Sequence, residues 1–156
     1  METYCVRVST GDLTFSAAHF ITLGPDRCEG IHGHNYRVMV EVHGPLDDEG
    51  CVVDFVLLQR TLREILAELD HRVLLPLEHK AIRVDAGPAE VEVRYADRRW
   101  VFPASECCLL PLSNTTAELL ARHIGRRLLQ TVPSPLVRVE IEESAGFSAV
   151  CEWKGE

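Results

Sequence analysis

The stretch Cys28-Glu29-Gly30-Ile31-His32-Gly33-His34-Asn35-Tyr36-Arg37-Val38-Met39-Val40-Glu41-Val42-His43 carries the reading of the whole chain. Its second half alternates through Val38, Val40 and Val42, so residues 35–43 are predicted as a strand with one buried face. Side chains two residues apart on a strand point the same way. His32 and His34 therefore aim both imidazoles at one point, with Gly33 adding no bulk between them. Upstream, Leu13, Phe15, Ala17 and His19 alternate in the same manner, and His19 is placed to close a third corner. Three neutral imidazoles without a fourth protein ligand suit a catalytic zinc that keeps one position open. The blander alternative is a set of loop or strand-start histidines that hold nothing.

Working outward, residues 4–19 read as strand with a bulge or kink at Gly11-Asp12, and residues 20–31 as a loop. The segment from Gly44 to Gly50 is a turn, which makes the flanking strands an antiparallel set. Asp54 caps a helix whose stripe is Leu57, Leu58, Thr61, Leu62, Ile65, Leu66 and Leu69. Asp70-His71 falls near its end, and it stops before Pro76. Within residues 77–112, Val91, Val93 and Tyr95 alternate, Asp97-Arg98 is a turn, and Trp100 with Phe102 resumes the pattern, which predicts an inserted β-hairpin. Asn114 or Thr115 caps a second helix, with Thr115 and Glu118 spaced as a capping box. Ala117, Leu120, Ile124 and Leu128 give its apolar stripe, and Pro133 and Pro135 end it. Residues 136–143 and 147–153 are two last strands joined around Ala145-Gly146. This order predicts an α+β fold: an antiparallel sheet with helices on one face, in one domain over 1–156 with an insertion at about 77–112. The other face of the sheet needs cover, which predicts an oligomer.

The 156 residues, 46% hydrophobic and 26% charged, have an ordinary globular composition. A net charge of −8 argues against a general nucleic-acid or anionic-membrane binder, whose affinity rests on basic surface. An anionic small substrate remains compatible, because a local basic cluster can hold phosphates. No signal peptide and no bilayer-spanning run is read. The six cysteines form no CxxC pair, so reduced thiols in a cytoplasmic protein are expected. The vicinal Cys107 and Cys108 read as strand or core filling.

Other residues carry candidate chemistry. Cys28, four positions before His32, fits three roles: a fourth ligand closing a structural zinc site, a thiol acting as base or nucleophile beside a metal, or a passive loop residue. Asp70-His71 pairs a carboxylate with the side chain best suited to passing protons near neutrality. The same pair also suits a helix end, where a cation meets the dipole. Of Glu142 and Glu143, adjacent on a strand, at most one faces any given site. A carboxylate there can accept paired N–H donors from a guanidine-like heterocycle edge, or stand solvated at a strand end.

Together these residues resemble the 6-pyruvoyl-tetrahydropterin synthase and 6-carboxy-tetrahydropterin synthase family. The resemblance rests on Phe15-Ser16-Ala17-Ala18-His19, Cys28 through Tyr36, Val53-Asp54-Phe55, Leu69-Asp70-His71, Asn114-Thr115-Thr116-Ala117-Glu118 and Glu143-Ser144, in that order. It implies the tunnelling fold (T-fold): a four-stranded antiparallel sheet with two helices on one face. It also implies homo-oligomers, a hexamer as a dimer of trimers, with sites between subunits. By the same resemblance His19, His32 and His34 hold Zn2+ and Cys28 is the catalytic base. Asp70 and His71 complete its proton relay, and Glu143 anchors the pterin. The implied substrate is 7,8-dihydroneopterin triphosphate. The three residues between Cys28 and His32 resemble the 6-carboxy branch, a lyase of the queuosine precursor route that releases acetaldehyde and triphosphate. The alternatives are a 6-pyruvoyl-type synthase, which only eliminates triphosphate, and a non-catalytic pterin-binding module. The segment between His71 and Asn114 is longer than the family usually carries, and Pro76 stands where it often has an asparagine.

Overall fold

The computed structural model describes residues 2–155. In chain order the elements are β1 (Tyr4–Val8), β2 (Thr14–His19), β3 (Thr22–Leu23), β4 (Arg27–Cys28), β5 (His32–Gly44), α1 (Phe55–Leu69), β6 (Arg72–Pro76), β7 (Arg83–Ala86), β8 (Glu90–Tyr95), β9 (Arg98–Pro103), β10 (Cys107–Leu110), α2 (Ala117–Leu129), β11 (Leu136–Ser144) and β12 (Phe147–Lys154). The expected antiparallel four are present as β2-β5-β11-β12. The sheet is nevertheless seven-stranded and mixed. β6 runs parallel to β2, and β10 runs parallel to β6, which corrects the purely antiparallel expectation. The kink expected at Gly11-Asp12 divides β1 from β2, and both lie antiparallel to the long β5.

The core forms where the inner sheet face meets the two helices. Phe15, Tyr36, Val38, Val40, Val137, Val139 and Ile141 pack beneath Leu58, Leu62, Leu66, Leu120, Ile124 and Leu128. The Phe15 and Tyr36 rings, register partners on β2 and β5, stack at 4.5 Å between centroids. Asp54 caps α1 as expected, its carboxylate accepting from Val56 N at 2.8 Å, an interaction typically worth about 1 kcal/mol. α1 ends as expected, and the start of α2 is corrected. α1 ends at Leu69, with Asp70 as its C-cap, and the chain turns at once into β6. Neither Asn114 nor Thr115 caps α2; Thr116 does, its hydroxyl accepting from Leu119 N at 3.4 Å. Thr115 is instead fully buried, and its hydroxyl donates to the Phe20 carbonyl.

Gly125 lets α2 sit against the Trp153 ring of β12. A Cβ at this position would lie 2.2–2.8 Å from three ring carbons, and a rigid indole moves only as a body. Gly125→Ala should therefore lose stability by roughly 1–3 kcal/mol despite alanine's helix preference of about 1 kcal/mol. Urea unfolding followed by tryptophan fluorescence checks this.

The insertion is more than a hairpin. β7, β8 and β9 make a separate three-stranded antiparallel sheet. It has its own small core of Val91, Val93 and Tyr95 with Phe20, Leu75 and Ile82 from the body of the chain. Trp100 stacks on Phe20 at 4.6 Å. His79 latches the start of the insertion. Its Nδ1 accepts from the N–H groups of Ala81 and Ile82 at 3.0 Å each. The proton is therefore on Nε2, which donates to Thr22 Oγ1 at 2.8 Å. A second proton would displace both backbone donors, and burial already holds this imidazole below its ordinary value of 6.5. Stability that depends on neutral His79 is thus complete above that value and is lost as pH falls from it toward the depressed native pKa. The cost of His79→Gln, about 1 kcal/mol at neutral pH, should shrink in mild acid, as parallel urea titrations would show.

Candidate metal and pterin site

β2 and β5 end together, and the register pairs His19 with His32 and Ala17 with His34. All three imidazoles project on the core side, one layer beyond Tyr36. Their ring centroids lie 4.8–5.2 Å apart. One nitrogen from each falls within 4.8 Å of the others, a spacing that one ion could fill. Gly33 is required between them on steric grounds, since a Cβ there would meet the Ala17 carbonyl oxygen at 3.3 Å.

The rings are oriented by the backbone. His19 Nδ1 donates to the Thr115 carbonyl and His32 Nδ1 to the Gly30 carbonyl, each at 2.8 Å. A carbonyl only accepts, so both rings keep Nε2 unprotonated and free to bind a cation. His19 is 1% exposed, and burial lowers its pKa, which favours the neutral ligating form. The Thr115 contact is what α2 contributes to the site. The capping-box reading missed it because it assigned Thr115 to the helix end.

Alternation along β11 settles which acid faces the histidines, because Glu143 follows Val137, Val139 and Ile141 on the buried face. Glu142 pairs with Arg37 and points to the far face of the sheet. Glu143 Oε1 lies 3.5 Å from His19 Nε2 and 3.6 Å from His34 Nε2. Tyr36 OH is 3.5 Å from the same carboxylate oxygen, and burial followed by the Glu143 charge keeps this phenol protonated. Glu143 also borders a cleft of about 410 Å³ with Ile21, Thr116, Glu118 and Phe147. That volume suits a fused heterocycle.

Cys28 is not a member of the three-histidine group, so the arrangement is not a closed four-ligand site. Its thiol, half-buried, donates to the Glu29 carbonyl at 3.4 Å. Burial pushes the thiol pKa up, the Arg98 guanidinium draws it back, and the Glu29 carboxylate adds to the rise. Glu29, to which the sequence reading gave no role, places Oε2 3.7 Å from His32 Nε2.

Asp70 and His71 form a dyad with Nδ1 to Oδ2 at 2.9 Å. Two bonds with Ser16 fix it: Ser16 N donates to Asp70 Oδ1 at 2.8 Å, and His71 N donates to the Ser16 carbonyl at 2.6 Å. The Ser16 N–H, then burial opposing it, then His71 leave the Asp70 carboxyl below its usual range. His71 sits at φ 56 with its side chain 81% exposed. His71 borders a cleft of about 380 Å³ with Ser16, His34, Asn35, Arg72 and Glu106; Cys28 does not line it.

Comparison with known proteins agrees with this fold. A family model described as 6-pyruvoyl tetrahydropterin synthase matches residues 9–154. A putative 6-carboxy-5,6,7,8-tetrahydropterin synthase of Methanocaldococcus jannaschii is 34% identical over 144 residues, 88% of each chain. A dihydroneopterin monophosphate aldolase of Pyrococcus furiosus is 36% identical over 142 residues, 90% of this chain and 92% of its own. The structure of Plasmodium falciparum 6-pyruvoyl tetrahydropterin synthase superposes with a TM-score of 0.92 at 24% identity, covering 99% of both chains. With a family model spanning nearly its full length, and the same sheet and helices in a solved relative, the chain belongs to the 6-pyruvoyl tetrahydropterin synthase family and has its tunnelling fold.

Proposed function

We propose that the chain is a zinc-dependent lyase that converts 7,8-dihydroneopterin triphosphate to 6-carboxy-5,6,7,8-tetrahydropterin, releasing acetaldehyde and triphosphate. The observation that carries this reading is the convergence of His19, His32 and His34, two of them with their tautomer fixed by backbone carbonyls. The name of the Methanocaldococcus jannaschii relative supports the 6-carboxy branch. In this reading the three Nε2 atoms hold Zn2+. A bound zinc supplies Lewis-acid polarisation of substrate oxygens. Glu143 accepts the N–H donors of the pterin edge from within its cleft. Cys28 takes a side-chain proton, and His71, oriented by Asp70, passes it on. Cys28 does not line the cleft that His71 borders, and in this reading the relay is completed by the Asp70-His71 pair of a second copy. A homo-oligomer with sites between subunits follows.

The test is product analysis. Zinc-loaded protein incubated with the triphosphate should release acetaldehyde and give the 6-carboxy product by mass. A 6-pyruvoyl product would move the chain to the other branch, and a complete lack of turnover beside an active control would end the reading. A second reading is favoured by one feature. The Glu29 carboxylate stands 3.7 Å from His32 Nε2, whereas the Cys28 thiol is not in the three-histidine group, and the Pyrococcus furiosus relative is named an aldolase. A base at that position suits aldol cleavage of a dihydroneopterin monophosphate. A hydroxymethyl pterin and a phosphorylated two-carbon aldehyde would identify it.

A further inference from the structure

The inserted sheet grips the loop that carries Cys28 and Glu29, and does so from one place. Tyr95 and Arg98 are register partners at the closed end of the β8-β9 hairpin. Tyr95 OH donates to the Pro25 carbonyl at 3.1 Å. Arg98 Nη1 donates to two successive carbonyls, that of Cys28 at 3.0 Å and that of Glu29 at 3.1 Å. One guanidinium nitrogen has two hydrogens, so each carbonyl receives one. Those carbonyls belong to the two residues whose side chains are the candidate proton acceptors, and His32 follows three positions after Glu29. Behind the grip, Trp100 stacks on Phe20 next to His19, which ties the hairpin to β2.

We propose that Arg98 is a positioning residue. From the tip of the insertion it fixes the Cys28-Glu29 backbone, and with it the place of the reacting thiol relative to the three histidines. This rests on the reading of Cys28 as the proton acceptor. The geometry supports fixation because the two-residue β3-β4 ladder ends at Cys28, and charge-assisted bonds to adjacent carbonyls hold two peptide planes at once at that end. The charge acts in the same direction. Arg98 and Glu29 are the charged groups that bear on the thiol, with opposite effects, and Cys28 packs against the apolar cluster of the inserted sheet. The insertion therefore acts on the chemistry without touching substrate.

The test compares full-length zinc-loaded wild type with Arg98→Ala and Arg98→Lys. Two readouts are used: the pH profile of Cys28 alkylation by iodoacetamide, mapped by peptide mass, and kcat and KM on the triphosphate substrate. In Arg98→Ala the alkylation midpoint should move to higher pH. kcat should fall roughly 10- to 100-fold with KM changed less than about threefold, as expected when a reacting group is misplaced rather than a substrate contact removed. Arg98→Lys should return most of the alkylation midpoint, because the charge is back. It should return only part of kcat, because a hydrated ammonium holds the two carbonyls less firmly than the planar guanidinium. Unchanged melting would confirm that the fold is intact. A wild-type alkylation profile together with wild-type kcat in Arg98→Ala would overturn the proposal, as would a loss of kcat that Lys does not recover at all. Absence of turnover in the wild type would remove the lyase reading, and the alkylation profile alone would then decide the role of Arg98.

Discussion

His34→Ala should lose bound zinc and essentially all turnover. His34 is half-buried, so the substitution removes a nitrogen donor without emptying the core, whereas His19 is fully enclosed. Two imidazoles and a water bind a divalent ion far less firmly than three imidazoles. A metal acting on a substrate oxygen is worth several kcal/mol of transition-state stabilisation, and each 1.4 kcal/mol is tenfold, so a drop of about 10³-fold or more in kcat/KM is expected. Elemental analysis of dialysed protein beside steady-state kinetics checks both halves. Full metal occupancy with full activity in the variant would remove His34 from the site.

Cys28→Ala should separate chemistry from metal binding. The thiol lies outside the three-histidine group, so zinc content should match the wild type. Loss of a positioned proton acceptor should lower kcat by roughly 10²–10⁴-fold. Pterin binding, read by quenching of the ligand's fluorescence, should persist, since Glu143 and its cleft are untouched. The variant also weighs the two reactions of this site against each other. If Glu29 carries an aldol cleavage, release of a phosphorylated two-carbon aldehyde from the monophosphate should survive the loss of the thiol while acetaldehyde release from the triphosphate stops.

Much of this was legible in the chain because it is local. Alternation through Val38, Val40 and Val42 marked β5, helical spacing marked α1 and α2, and Asp54 marked the start of α1. The three histidines were legible because β2 and β5 pair antiparallel, so in-phase residues near a shared end meet. Parallel pairing left no such trace. β6 and β10 are separated by the entire insertion, and nothing in Arg72–Pro76 announces a partner at Cys107–Leu110. β7 was missed because its four residues are mostly exposed and show no clear alternation. Thr115 and Thr116 offer the same hydroxyl to a capping rule, and only burial beneath Phe20 and His19 decides between them. Glu143 continues the alternation of Val137, Val139 and Ile141, so its facing rather than that of Glu142 was encoded in the strand's periodicity. Arg98 read as part of a turn because its partners lie 69 and 70 positions away.

The carbonyl that steadies His19 comes from Thr115, 96 positions along the chain. On a growing polypeptide, His32 and His34 are available early as a two-nitrogen clasp, while His19 acquires its ligating tautomer only when the start of α2 has docked. Were a metal held there, its retention would depend on tertiary assembly: the His32-His34 pair alone makes a weak chelate, and the docked three-histidine group a strong one.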